Sequence, residues 1–293
     1  MTLRSLLEWG EGRLVLSDVP EAQLCAWYLL QACFDEKLDR SRYFLRKEEE
    51  VCADTKKKFE AYIEKRSQRV PLEYITGYTE FMGLPFEVDE HVLIPRQDTE
   101  TLVEIVYPLC GGKRVLDLCT GSGCIGLSIG VWGRPSQLVL GDISEEALCV
   151  AKRNLKRFRE GEHYRCHTPT ELVRGDLFEN IRGVFDWIVS NPPYIESDTI
   201  PGLMPEVARF EPVAALDGGR DGLDFYREII RQAPFYLADH GTLCFEIGHQ
   251  QGGEVSALMR GRGFEEIEIR KDLAGNDRVV LGVMVRGKVE CDV

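Results

Sequence analysis

At 293 residues with 44% hydrophobic composition, the chain is long enough for one large domain and a smaller one, each with its own core. It holds no run of 18 apolar residues and does not open on a charged stretch followed by an apolar one, so neither membrane spanning nor secretion is expected, and the expected compartment is the cytoplasm. The net charge of -13 is concentrated beyond residue 80, where 23 Lys/Arg stand against 34 Asp/Glu. A duplex-binding enzyme normally presents a basic face to phosphates, so no stable nucleic-acid partner is expected.

Ten cysteines are present, none of them in C-x-x-C spacing, and Cys110, Cys149 and Cys244 fall inside apolar runs. They read as reduced, mostly buried thiols, with no metal site.

Residues 1 to about 75 carry apolar positions at three- and four-residue spacing, as in Leu24, Trp27, Tyr28, Gln31 and Phe34, which predicts a small helical domain. The charge clusters Glu48 to Glu50 and Lys56 to Lys58 read as solvated helix faces. From Pro71 to Pro95 short alternating stretches broken by Gly77, Gly83 and Pro85 predict a strand pair that links two domains. A helix is expected from about Asp98 to Leu109, then strands at Arg114 to Leu118, Gln137 to Gly141, Phe185 to Ser190 and Thr242 to Ile247, separated by helices. That alternation predicts an α/β domain whose mostly parallel sheet binds ligands at the carboxyl ends of its strands. Two last strands, Phe264 to Ile269 and Arg278 to Val285, are expected to form an antiparallel edge hairpin.

The segment Val115 to Gly126 is an apolar strand running into the turn Cys119-Thr120-Gly121-Ser122-Gly123 and then a helix. Glycines let backbone approach a ligand, and the helix start offers free N–H groups. Asp142, ending the next strand, is placed to accept from both hydroxyls of a ribose, so an adenosine-containing ligand is implied. The letters Gly121-x-Gly123-x-x-Gly126 also satisfy the dinucleotide fingerprint, so at this point S-adenosylmethionine, a nicotinamide cofactor and a structural turn all remain open.

The strand Phe185 to Ser190 runs directly into Asn191-Pro192-Pro193-Tyr194, a far more specific signal. An amide nitrogen is a poor nucleophile because its lone pair is delocalised into the carbonyl. A catalyst must therefore hold the NH₂ by two acceptors, with no strong base and no metal. Asn191 offers its side-chain oxygen and Pro192 its carbonyl, while the prolines lack competing N–H groups and have φ fixed. Tyr194 is placed to stack on the flat amide, so catalysis is expected to be positioning by preorganised dipoles.

With these residues and PLEYITG (71–77), the stretch Phe81 to Phe86, VLIPRQDTE (92–100), EPVAALDGGRDGLDFYR (211–227) and LAGNDRVVLG (273–282), the chain resembles the release-factor glutamine methyltransferase family (PrmC, also called HemK) over nearly its whole length. The resemblance implies a small N-terminal helical bundle for substrate recognition (1–75), a strand-pair linker (76–97) and a Rossmann-like class I methyltransferase domain with a mostly parallel seven-stranded sheet (98–293). It implies methyl transfer from S-adenosylmethionine, leaving S-adenosylhomocysteine, to the glutamine of the Gly-Gly-Gln motif in class 1 peptide chain release factors, by a monomer.

Carried over by position, Asp117, Cys119, Thr120, Gly121, Ser122, Gly123, Asp142, Leu177 and Asn191 would hold the cofactor, and Asn191, Pro192, Pro193 and Tyr194 the substrate, with Asn191, Pro192 and Tyr194 catalytic. Cys119 stands where the family motif usually has glycine, so its backbone is expected in an ordinary conformation. The family often has an aromatic residue at the position of Leu177, where Phe178 is expected to compensate in part. Arg96 and Glu100 are expected at the site entrance or as capping and ion-pair residues, and His249, Trp132 and Trp187 as packing residues.

Rivals are glutamine methylation of a large-subunit ribosomal protein, adenine-N6 methylation of nucleic acid and a non-catalytic scaffold. An adenine methyltransferase extrudes the base and usually carries an added recognition domain, and none is expected here. A scaffold would be expected to have lost Asn191, Asp142 or the glycines, and all are present.

Overall fold

The computed structural model describes residues 1–34, 36, 38–161 and 164–286. The first 76 residues form α1 (Leu3–Leu16), α2 (Ala22–Gln31), α3 (Arg40–Arg46), α4 (Ala53–Ser67) and α5 (Leu72–Thr76). Thr2 caps α1 by accepting the Ser5 amide, and Asp39 caps α3 by accepting that of Arg42. Leu3, Leu6, Leu7 and Leu14 lie on one stripe of α1 and share a core with Phe59 and Ile63 of α4.

A hairpin follows, β1 (Tyr78–Phe81) and β2 (Leu84–Glu87), then α6 (Glu100–Val106), β3 (Arg114–Leu118), α7 (Cys124–Trp132), β4 (Gln137–Asp142), α8 (Glu145–Glu160), β5 (Thr170–Arg174) and β6 (Phe185–Ser190). After these come α9 (Pro205–Phe210), α10 (Asp224–Tyr236), β7 (Leu237–Glu246), α11 (Gly252–Gly261), β8 (Phe264–Lys271) and β9 (Asp277–Met284). The seven-stranded sheet has the order β5-β4-β3-β6-β7-β9-β8, parallel from β5 to β7, with β9 antiparallel to both neighbours. The α/β fold and its antiparallel hairpin are as the sequence predicts, and the seven strands are as the resemblance implies.

Helix α8 shows why these residues fold locally as they do. Ser144 caps it by accepting the Ala147 amide, Glu145 and Glu146 fill the first turn, and Arg157 and Arg159 the last, each complementing the helix dipole. Its buried face is Ala147, Leu148, Val150, Ala151, Asn154, Leu155 and Phe158. Strand β3, central in the sheet, is buried from Val115 to Leu118, as a strand covered on both faces should be. One face packs Leu102, Val106, Ile129, Leu155 and Phe158, and the other Tyr226, Ile229, Ile230, Val255 and Met259. Register pairs Leu118 with Gly141 and with Ser190, so the turns after β3, β4 and β6 leave the sheet at one level.

Two local differences from the sequence reading have physical causes. Leu72–Thr76 is a helix rather than part of the strand pair, which spans only Tyr78–Phe81 and Leu84–Glu87, because Gly77 in a left-handed conformation stops the helix before β1. Strand β5 was not expected, because Thr170-Glu171-Leu172-Val173-Arg174 lies at the sheet edge and has no continuous apolar run.

The chain divides into two compact units, Met1–Tyr78 with Met204–Phe210, and Thr79–Leu203 with Glu211–Val293. Within the first, Glu206 of α9 accepts from Arg66 at 2.8 Å and from Arg69 at 2.6 and 2.7 Å. Burial pushes the Glu206 carboxyl up, but the hydrogen bonds from Arg69 and Arg66 outweigh it and bring it down to about 2. Nothing in the sequence marks Met204–Phe210 as part of the helical unit. Among the described residues, no helix is long and apolar enough to cross a membrane. The nine described cysteines are free, and Cys52 and Cys149 are exposed rather than buried. Cys291 and the end of the expected catalytic domain, 287–293, lie outside the described residues.

Candidate active site

A cavity of about 850 Å³ opens at the carboxyl ends of β3, β4 and β6, the place where ligands bind in open α/β sheets. Of the residues expected at the site it brings together Cys119, Thr120, Gly121, Ser122, Asp142, Leu177, Asn191 and Pro193. Asp117, Gly123, Pro192 and Tyr194 are not on its wall.

Asp117 lies behind the loop, fully buried in β3. Its Oδ2 accepts from the Thr120 hydroxyl at 2.6 Å and from the Gly126 amide at 2.9 Å, which ties the turn to the start of α7. Burial raises the Asp117 carboxyl to about 7 against those two donors. Gly126 is required by this close approach: a Cβ there would stand 2.3 Å from Leu140 Cδ2 and 2.9 Å from Asp117 Oδ2. Cys119 departs from expectation, since its φ is +57°, the left-handed region in which the family usually has glycine. The loop imposes this by docking the next amide, Thr120 N–H, on the Gly141 carbonyl of β4 at 3.0 Å. Burial pushes the Cys119 thiol far up, so it stays protonated.

Asp142 accepts the Gly121 amide at 2.8 Å on Oδ2 and the Ser144 amide at 2.9 Å on Oδ1. Burial raises this carboxyl, and the backbone donors hold it back. Leu177 reaches the cavity with φ +50°. Phe178 does not compensate as expected: it is buried in the core and stacks on Tyr236 with ring centroids 4.5 Å apart.

At the end of β6, Asn191 Nδ2 donates to Thr99 Oγ1 at 3.5 Å. The Tyr194 hydroxyl donates to Glu246 Oε1 at 3.3 Å. Burial, and then the Glu246 charge, push that phenol up, so it remains a donor. The Tyr194 backbone is packed as closely as its side chain. A Cβ on Gly218 would stand 2.6 Å from Tyr194 Cα, and Gln251 Nε2 donates to the Tyr194 carbonyl at 3.1 Å.

Arg96 lies on the cavity wall and pairs with Glu211. Glu100 instead accepts the Met82 amide at 2.6 Å, a structural role. Trp187 packs in the core as expected, whereas Trp132 and His249 are exposed. Sequence reasoning missed Thr99, Glu246 and Arg278 around the tetrad. A charged residue closing the apolar run Leu243-Cys244-Phe245 was a signal available for Glu246.

Residues 5–77 match the family model described as the PrmC N-terminal domain, and residues 97–204 that of the methyltransferase small domain. A release factor glutamine methyltransferase of Clostridium acetobutylicum is 45% identical over 253 residues, covering 84% of this chain and 87% of the relative. The chain belongs to the release factor glutamine methyltransferase family. Relatives of the same name from Clostridium botulinum and Moorella thermoacetica are 38% and 39% identical, with 96% of this chain and 98% of each relative covered. A solved methyltransferase from Pyrococcus furiosus shares the fold, with a TM-score of 0.52 at 18% identity over 70% of this chain and 91% of that one. Membership of this family bears out the resemblance seen in the sequence and sets aside the dehydrogenase reading of the glycine loop.

Proposed function

We propose that this protein transfers a methyl group from S-adenosylmethionine to the side-chain amide nitrogen of the glutamine in the Gly-Gly-Gln motif of class 1 peptide chain release factors. The observation that carries the reading is the placing of Asn191: it lines the cavity, and its Nδ2 gives one N–H to Thr99, so its Oδ1 is free to accept from an amide NH₂ there.

The cavity residues fit S-adenosylmethionine. Asp142 is held rigid by two backbone donors and keeps lone pairs for a ribose, and Asp176, Asp224 and Glu228 on the wall suit a cationic ligand. Cys119 to Ser122 offer loop backbone to its amino-acid part, with Asp117 and Gly123 supporting them from behind, and Leu177 an apolar contact for the adenine. When bound, the cofactor supplies an electrophilic methyl on a positively charged sulfur.

The chain's own residues have to present the nucleophile. Asn191 Oδ1 is the wall acceptor for one N–H of the glutamine amide, and the Pro192 carbonyl, off the wall of the ligand-free cavity, is the proposed acceptor of the second once substrate is seated, leaving the lone pair exposed. Pro193 walls the cavity beside them, and Tyr194 holds the turn by its hydroxyl. After transfer, the secondary ammonium-like amide loses its extra proton to water, so no strong base is needed. The helical unit is the substrate-recognition part of the proposal, supported by the match of residues 5–77. A cytoplasmic monomer acting without a stable nucleic-acid partner completes the reading.

The test incubates purified protein with methyl-labelled S-adenosylmethionine and a class 1 release factor, wild type or with the motif glutamine changed to alanine. Label on the wild-type factor only, lost with Asn191→Ala, is the expected result. Label on a ribosomal protein or nucleic acid instead would overturn the release-factor substrate.

A further inference from the structure

We propose that Gln251 is a positioning residue for the Asn191 to Tyr194 turn, clamping the turn by its exit carbonyl in the orientation that methyl transfer needs. The inference deepens the reading above and rests on it.

Pro192 and Pro193 carry no N–H, so the amide donors that usually tie a turn to its surroundings are missing from the middle of this one. Its exit is held from the carbonyl side instead. Gln251 Nε2 donates to the Tyr194 carbonyl at 3.1 Å and to the Gly222 carbonyl at 3.2 Å, one N–H for each. The same side chain accepts the Gly248 amide on Oε1 at 3.0 Å. These three contacts fix which way the amide points: turned over, Oε1 would face two carbonyl oxygens and Nε2 would face an N–H, opposed at every contact.

Gln251 has a firm base from which to hold the turn. Its backbone N–H donates to the Gly248 carbonyl at 2.8 Å, and its carbonyl accepts the Val255 amide of α11 at 3.0 Å. Just before it, Ile247 is fully buried and its amide donates to the Arg278 carbonyl at 2.8 Å, so the clamp is referred to the end of β7 and its neighbour β9. The far side of the clamp is shaped for close approach. Gly222 has φ +71°, and a Cβ on it would stand 2.4 Å from the Tyr194 carbonyl oxygen and 2.7 Å from Gln251 Nε2. Asp217 and Asp224, on either side of the Gly218 to Gly222 segment, line the cavity, as do Asn191 and Pro193. One side-chain amide therefore fastens the turn that presents the acceptors to the segment that walls the cavity beside it. Gln251 is not on the cavity wall, so its effect reaches the reaction through the position of the turn and not through binding of either reactant.

The experiment compares Gln251→Met and Gln251→Glu with wild type in methyl transfer to a class 1 release factor, below the melting temperature of each protein, with KM for the factor and S-adenosylmethionine affinity by calorimetry measured alongside kcat. Methionine keeps the length of glutamine without its donors, and glutamate keeps its shape but sets a carboxylate against two carbonyl oxygens. The clamp requires kcat to fall about 10- to 100-fold in Gln251→Met and at least as far in Gln251→Glu, with KM and cofactor affinity within about threefold of wild type. A side chain that only filled space would leave both variants near the wild-type rate. A Gln251→Met kcat within tenfold of wild type, or a loss carried by KM or cofactor affinity, overturns the clamp and leaves the substrate assignment intact. If Gln251→Glu does not fold, Gln251→Met decides alone. A wild-type enzyme that methylates no release factor overturns the substrate reading and the clamp with it.

Discussion

Asp142 Oδ2 accepts the Gly121 amide at 2.8 Å, which ties the turn after β3 to the end of β4. One carboxylate thereby shapes the loop and lines the cavity. Asp142→Ala removes both functions, and we expect S-adenosylmethionine affinity to fall by about 100-fold, the loss of a charge-assisted hydrogen-bond pair. Calorimetric titration checks this, and affinity within threefold of wild type would rule out the ribose role.

Gly126 has no room for a methyl group, with Leu140 Cδ2 2.3 Å from where a Cβ would stand. Gly126→Ala should destabilise the second unit by about 1–3 kcal/mol through overpacking, lowering Tm by several degrees and weakening cofactor binding with it. An unchanged melting curve would show that α7 can shift at no cost.

The Glu206 carboxyl sits at about 2 in the folded protein, against 4.5 for an ordinary glutamate. A depressed folded value means that its stabilisation is fully present above pH 4.5 and is lost as pH falls toward 2, amounting to about 3 kcal/mol at neutral pH. Glu206→Gln should remove that part of the acid-unfolding slope and leave Arg66 buried without its charge partner. Acid titration followed by far-ultraviolet circular dichroism compares the two proteins, and superimposable curves would remove the ion cluster from the account.

Glu246 is shifted the other way: burial raises it to about 7, against the nearby Thr99 hydroxyl, the charge of Arg278 and the Tyr194 hydroxyl. A raised folded value means that this group favours the fold most below pH 4.5, and that the contribution is lost as pH rises through about 7. The ionised form is the stronger acceptor for the Tyr194 hydroxyl that holds the turn, so activity is expected to run opposite to this contribution. We expect kcat to fall about tenfold per unit below pH 7 in the wild type and to lose that dependence in Glu246→Gln. A pH–rate profile with the same slope in both enzymes would assign the titration to another group.

What could be read without coordinates was whatever a short stretch of chain encodes by itself. The buried run Val115 to Leu118, the glycine turn after it and the spacing to Asp142 announce a parallel sheet and point to the adenosine ligand proposed above. Asn191-Pro192-Pro193-Tyr194 points to the proposed chemistry, because the two acceptors it calls for stand in consecutive residues. Cys119 shows where local reasoning fails: its intrinsic preference for negative φ, about 1–2 kcal/mol, is overridden by the docking of Thr120 on Gly141.

Sequence alone determined the order of most strands and helices, the two turns at the carboxyl end of the sheet and the family, since periodicity, turn chemistry and motifs are local properties. Tertiary structure alone decided what supports them. Thr99 meets Asn191 across 92 positions of sequence, Tyr194 meets Glu246 across 52, and Arg66 meets Glu206 across 140. Such pairs follow from strand register and helix packing, and a hydrogen bond has no signature in the chain until folding brings its donor within reach of its acceptor.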